Sequence, residues 1–210
     1  MSADKDKKLV SLAKTMLREL DVDLAVRREE EQQQFVFGEG HPEAGVVFVG
    51  EAPGKKEAET GKPFVGAAGK LLDALLREIG LERQFVYITN IVKDRPPGNR
   101  RPRVGEIEAY KPYLLQQLEI LEPEVLVPLG LVSTRVLLKE FVDHTVQVKM
   151  KNVHGQIFEG NADWGQMLIL PMYHPAASFY GPLSRKDLEE DFRVLRDLLS
   201  DNHQPRAKAC

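Results

Sequence analysis

Continuous apolar runs stopped by glycine or polar residues alternate along this chain with apolar stripes at helical spacing, and that alternation constrains the fold most tightly. Val46-Val-Phe-Val49, stopped by Gly50, has the pattern of a strand buried on both faces. Leu71, Leu72, Leu75, Leu76 and Ile79 then form one helical stripe that Gly80 ends as a C-cap. The alternation repeats as a strand over 85–92, a helix over 106–121, a strand over 125–129 and a helix over 132–141. A strand over 167–172 precedes a closing helix from about Ser184 to Leu199, with Leu188, Phe192, Leu195 and Leu199 on one face. Parallel neighbours need crossover connections, which are usually helical, so the expected architecture is α/β: a single domain with a central four-stranded parallel sheet and helices on both faces. Upstream, Leu9, Leu12, Ala13, Met16 and Leu20 give an amphipathic helix that runs into the acidic, Gln-rich stretch Arg27 to Gln34, read as a solvated helix end or connector. Phe35 to Gly38 follows as a short extended segment. The expected organisation is a helix and connector over 1–34 packed on the domain, the domain over 35–200, and a flexible tail over 201–210.

With 210 residues, 42% of them hydrophobic, the chain can bury one sizeable core and is short for two. Its longest apolar runs fall far below the roughly 20 residues of a membrane span, and its first residues do not read as a signal peptide. A soluble, monomeric, cytoplasmic protein of prokaryotic type, used at the nucleoid and without a membrane partner, is the expectation. The sole cysteine is Cys210, so no internal disulfide and no cysteine-based metal or cluster site can form within one chain. No two of the histidines at 41, 144, 154, 174 and 203 have the i, i+4 spacing of a helical metal site. No metal and no cofactor are therefore expected. The net charge is −3, yet Lys93 to Arg103 carries five basic residues and one acid in a segment too proline-rich to be helix. That loop is a local basic patch on an otherwise acidic protein, the kind of feature that meets phosphates.

In open parallel sheets, functional groups gather beyond the carboxyl ends of the strands. Four places qualify: Gly50-Glu-Ala-Pro-Gly54, Thr89-Asn90, Gly130, and Tyr173-His174-Pro175, with Gly61-Lys-Pro-Phe-Val-Gly66 in the loop leaving the first. A carboxylate (Glu51), an amide (Asn90), an imidazole (His174) and an aromatic ring (Phe64) would thus face one cleft. Taken singly each has a plain structural reading: a turn cap, a sheet-edge bond, a satisfied core histidine, a core phenylalanine. Their co-occurrence at strand and loop ends is what points to a site. A phosphate-binding P-loop is excluded at Gly66-Ala-Ala-Gly-Lys70, because the motif would need Gly at 64 and Ser or Thr at 71, where Phe and Leu stand. That segment reads instead as a small-residue helix start that permits close approach.

The series Val49-Gly-Glu-Ala-Pro-Gly54, Gly61-Lys-Pro-Phe-Val-Gly66, Tyr87-Ile-Thr-Asn-Ile-Val-Lys93 with Arg95-Pro-Pro97, and His174-Pro175-Ala176 resembles family 4 uracil-DNA glycosylases in order, spacing and context, over about residues 35 to 200. The resemblance implies a monofunctional DNA repair enzyme that flips uracil out of DNA and hydrolyses its glycosidic bond, leaving an abasic site. It implies that Phe64 stacks on the base, Asn90 pairs with its O4 and N3–H, and His174 donates toward O2 as charge grows on the leaving base. Glu51 would position water and stabilise the cation-like sugar. Ala52, where the family 1 pattern has its water-activating Asp, would line the base pocket. Lys93, Arg95, Arg100, Arg101 and Arg103 would contact DNA, with Ser178 replacing a phosphate-binding Ser that family members often carry where Ala176 stands.

Departures from that family are equally informative. Its members carry four cysteines that hold an iron–sulfur cluster; here the third position is Asp94, the fourth falls at about Tyr110, and residues 20–34 hold none. Asp94 among Lys93, Arg95 and Arg100 suggests an ion-pair substitute, helped by packing of Tyr110. Two other functions fit parts of the pattern: a glycosylase for another deaminated base such as hypoxanthine, which Asn90 disfavours, and a non-catalytic nucleic-acid binder, which the joint presence of Glu51, Phe64, Asn90 and His174 disfavours. A nucleotide-binding protein acting on small molecules would leave the basic loop without a purpose.

Overall fold

The computed structural model describes residues 2–180 and 185–201. The chain runs α1 (Ser2–Glu19), α2 (Asp23–Glu30), β1 (Glu39–Gly40), β2 (Val46–Gly50), α3 (Lys55–Thr60), α4 (Ala67–Glu78), β3 (Tyr87–Asn90) and α5 (Val104–Leu121). It continues β4 (Val125–Pro128), α6 (Leu131–Phe141), α7 (Met150–Val153), β5 (Phe158–Ala162), β6 (Gly165–Ile169), α8 (Ala177–Tyr180) and α9 (Arg185–Asp201). Ser184 and residues 202–210 of the expected tail lie outside the described residues.

The four expected strands form the parallel centre, in the order β3-β2-β4-β6. Two antiparallel strands extend it: β1 beside β3, and β5 beside β6. The four-stranded sheet is therefore the core of a mixed six-stranded one. Side chains alternate across it as the pleat requires. Val46, Phe48, Ile88, Val125 and Val127 face one core with Leu72, Leu75 and Leu76 of α4 and Leu188, Phe192 and Leu195 of α9. Val47, Val49, Tyr87 and Leu126 face the other with α1, α5 and α6. Each fully buried Val, Leu or Phe contributes about 1.5–3 kcal/mol relative to exposure, so it is this two-sided burial that fixes the register.

β2 lies between β3 and β4. The chain leaves β2 through α4 to reach β3 on one side, then passes back through α5 to β4 on the other. Right-handed crossovers in opposite directions put α4 and α5 on opposite faces and open a crevice at the carboxyl end of β2.

The stretch Arg27 to Gln34, read as a solvated helix end or connector, begins as the end of a separate helix, α2, and is not wholly solvated, since Arg28 is buried there. The strand expected over 85–92 is shorter, since residues 83–85 make a 3₁₀ turn and the ladder stops at Asn90. The strand expected over 167–172 begins earlier and ends at Ile169, with Met172 rejoining Leu129 by an isolated bridge.

Candidate active site

Gly50 and Asn90 are paired across the parallel ladder and close β2 and β3 side by side. A Cβ on Gly50 would stand 2.3 Å from Asn90 Oδ1 and 2.7 Å from the Phe64 ring, so only glycine lets both lie over the end of β2. Asn90 is 1% exposed, and its Oδ1 accepts no hydrogen bond among the described residues. A buried acceptor left unpaired costs about 1–3 kcal/mol, which a folded chain tolerates where a ligand supplies the donor.

Phe64 is held in an unusual backbone conformation, φ +50°. Four contacts impose it. The Arg83 guanidinium donates to the carbonyls of Pro63 and Phe64, and the N–H groups of Val65 and Gly66 donate to Glu57 Oε1 at 2.9 and 2.8 Å. Beneath them Gly69 of α4 comes so close that a Cβ would stand 1.7 Å from the Phe64 carbonyl oxygen. The small-residue helix start thus makes its close approach to the loop that carries Phe64, rather than to the sheet. Strain concentrated on one aromatic residue at a cleft is characteristic of functional positions.

The Phe64 and His174 rings lie 5.5 Å apart, tilted by 31°. His174 Nδ1 accepts the N–H of Ala176 at 3.1 Å, which leaves the ring proton on Nε2, directed away from the backbone. Burial pushes the imidazole down to about 4, against a small opposing pull from the Glu57 charge, so near neutral pH it is an uncharged donor. Gly130, φ +90°, makes room for its Cβ at the start of α6. Glu51 follows β2; burial raises its carboxyl above the ordinary range, with Arg101 opposing that shift.

Glu51, Ala52, Phe64, Asn90, Arg100 and His174 line one cleft of about 350 Å³, within the size range of small-ligand sites. Glu57 and Asn99 line it too. The sequence reading missed both, since α3 is short and charged with no apolar stripe, and Asn99 stands in the proline-rich loop.

The basic loop divides. Lys93 is not a surface residue: it is fully buried, and its ammonium donates to Thr89 Oγ1, the Asn90 carbonyl and Gln117 Oε1 at 2.6, 2.8 and 2.6 Å. Burial lowers its pKa well below the usual lysine value. It buttresses β3 from behind, and no phosphate can reach it. Arg100 forms a two-pronged pair with Glu106, Arg95 bonds Asn99, and Arg103 stands exposed at the start of α5, 3.9 Å from Asp23. Arg101 is exposed and makes no ion pair among the described residues. The Ser178 hydroxyl donates to the Pro175 carbonyl at 2.8 Å, so its proton is not available to a phosphate in this arrangement.

Asp94 does not pair with Lys93, Arg95 or Arg100. Its carboxylate, 1% exposed, accepts from Arg28 Nη1 at 3.1 Å through both oxygens, and from the Tyr110 hydroxyl. The two positions where the resemblance places the third and fourth cluster ligands thus hold an acid and a phenol, and Asp94 binds both Tyr110 and the Arg28 guanidinium of α2. These residues do not fit an iron–sulfur cluster, and no group of three or more metal-ligating side chains comes together among the described residues.

A family model described as "Uracil DNA glycosylase superfamily" matches residues 37–198. The chain belongs to the uracil-DNA glycosylase superfamily. It is 46% identical over 164 residues to the type-4 uracil-DNA glycosylase of Sulfurisphaera tokodaii, covering 78% of this chain and 74% of that protein. The type-4 enzyme of Saccharolobus solfataricus is 47% identical over 169 residues, covering 79% and 76%. The type-5 uracil-DNA glycosylase of Pyrobaculum aerophilum is 31% identical over 152 residues, covering 65% and 63%. Membership makes the protein a hydrolase of N-glycosyl bonds that acts in base excision repair of DNA. Among the described residues no helix is long and apolar enough to cross a membrane.

Proposed function

We propose that the protein excises uracil from DNA by hydrolysing the N-glycosidic bond and leaves an abasic site. The observation that carries this reading is the buried, unpaired Oδ1 of Asn90 beside the Phe64 ring and the neutral His174. Uracil offers an N3–H donor to that oxygen and an O4 acceptor to the same amide, whereas cytosine reverses both polarities. Phe64 stacks on the flipped base. His174 Nε2–H then donates to O2 as the base departs with negative charge, and a neutral donor avoids the desolvation of a charged one. Glu51 orders the attacking water and offsets the charge on the cation-like sugar. Arg101 and Arg103, with Arg95 and Arg100 bracing the loop, meet the phosphates on either side of the flipped nucleotide. The charge of Arg101 on the basic loop is felt by the Glu51 carboxyl, and Arg100 of the same loop lines the cleft with it.

The test is incubation of the purified protein with an oligonucleotide holding one uracil, followed by alkali cleavage of abasic sites, beside matched strands holding hypoxanthine and cytosine. Cleavage is expected at uracil. Binding of the strand without any cleavage would overturn the proposal and favour a nucleic-acid binder that has lost turnover.

A further inference from the structure

We propose that Asp191 is the residue that positions His174, gripping the chain one residue before it and tying it to the end of α7 at residues 154–155. The consequence for catalysis rests on the excision reading above; the grip itself rests on geometry.

The sheet holds the chain as far as Met172, whose N–H donates to the Pro128 carbonyl and whose carbonyl accepts from Gly130. His174 comes two residues later. Between them Tyr173 donates its N–H to Asp191 Oδ2 at 2.9 Å, and Asp191, on α9, is 1% exposed. The other oxygen, Oδ1, faces His154 Nδ1 at 2.8 Å. The His154 ring packs against the Tyr173 ring with centroids 4.2 Å apart. Gly155, φ +67°, donates its N–H to the Pro171 carbonyl, and a Cβ there would come within 3.1 Å of Asp191 Oδ1. The segment leading to His174 is thus clasped by α9 from one direction and by the end of α7 from another.

A buried carboxylate is a costly way to hold a loop, since apolar packing would do so without desolvating a charge. Burial does raise the Asp191 carboxyl, while the Tyr173 N–H and His154 pull it back; Asp187 on the same helix adds a like charge. What a carboxylate supplies that packing does not is direction: one oxygen accepts from the Tyr173 N–H and fixes the Met172–Tyr173 peptide, while the other holds the His154 ring that packs on Tyr173, and together they set the path of the chain into His174. None of Asp191, His154 and Tyr173 lines the cleft, so Asp191 acts through His174.

Three measurements test this. In single-turnover excision, Asp191→Ala should lower kcat by roughly 10–100-fold, as expected of a displaced catalytic group, with KM changed by less than about 2-fold. Asp191→Asn keeps an acceptor for the Tyr173 N–H and should stay within about 3-fold of the unaltered protein. In a His174→Ala background, Asp191→Ala should cost less than about 2-fold more, because it has nothing left to position. Equal damage from Ala and Asn, or a full further loss on top of His174→Ala, would overturn the proposal.

Imidazole titration by NMR without DNA gives a readout independent of turnover. His174 should titrate near 4 in the unaltered protein and in Asp191→Asn, and closer to the ordinary 6.5 in Asp191→Ala as the clasp opens to water. If Asp191→Ala does not fold, His154→Phe keeps the ring on Tyr173 and should move His174 the same way by less. No movement in whichever variant folds overturns the clasp even if excision is normal. Movement as expected in a protein that excises no uracil would overturn the proposed function and leave the clasp standing.

Discussion

On the proposed reading, base choice is concentrated in one amide. Asn90→Ala removes the acceptor for N3–H and the donor for O4 together, and should lower uracil excision by roughly 10²–10³-fold, the scale of losing one preorganised transition-state donor. Asn90→Asp is sharper: a carboxylate has no donor for O4 and repels the growing charge, so uracil excision should collapse and any residual activity should be toward cytosine. Near-normal excision by both variants would make Asn90 a strand-end structural residue. If Glu51 orders the water as proposed, it should govern the acid side of the pH profile. Its carboxyl is raised by burial and acts ionised, so excision should fall as pH drops through that raised value, above the usual carboxylate range. His174 contributes no limb between pH 5 and 8, because it stays neutral down to about 4. A kcat profile whose acid limb persists in Glu51→Gln would assign the limb elsewhere. Glu51, Phe64, Asn90 and His174 were legible as candidates because each sits where an apolar strand or a glycine-flanked loop stops. The burial of Lys93 was not legible, because it opens the basic, proline-rich run that Arg95, Arg100, Arg101 and Arg103 continue, while its partners Thr89 and Gln117 lie on β3 and α5.

The strands and helices that carry the cleft announce themselves by period, since β2, β3, β4, α4, α5, α6 and α9 each bury a continuous run or a full stripe. Short elements without that signature did not: α3 is charged, β1 has two residues, and β5, Phe-Glu-Gly-Asn-Ala, forms only because β6 offers an edge. The polar cluster joining α2, the end of β3 and α5 was half legible. Asp94 and Tyr110 were singled out from their positions, but Arg28 was assigned to a solvated stretch, because nothing near it in sequence shows that it turns inward. Arg28→Ala should cost about 3–5 kcal/mol, the penalty of leaving a buried carboxylate without its cation, read as a lowered urea midpoint. A loss under about 1 kcal/mol would make the pair no more than a surface contact. Since this cluster stands where iron ligands would, the purified protein should be colourless and fold fully with a chelator present; iron in stoichiometric amount would contradict that.

At the scale of the molecule, an acidic chain must still approach a polyanion. The net charge of −3 gives long-range repulsion, so productive approach depends on the loop at the mouth of the cleft. With Lys93 buried and Arg100 held by Glu106, the cations best placed to neutralise phosphates are Arg101 and Arg103, both exposed. DNA affinity should fall as salt rises, with a slope of about −0.9 for each phosphate neutralised on duplex DNA. Arg101→Ala and Arg103→Ala should each flatten a log Kd against log salt plot by about that amount, and weaken all sequences alike. Arg100→Ala makes a different forecast. It strips the buried Glu106 of its two-pronged partner, whose bonds hold that carboxyl below its ordinary range, so its first effect should be on stability. That contribution is full at neutral pH and fades as pH falls through the depressed Glu106 value, so the gap in urea midpoint between Arg100→Ala and the unaltered protein should narrow on acidification. If Arg100→Ala instead flattens the salt slope as much as Arg101→Ala while the urea midpoint holds, Arg100 leaves Glu106 for phosphate when DNA binds, and the loop engages DNA with three arginines rather than two.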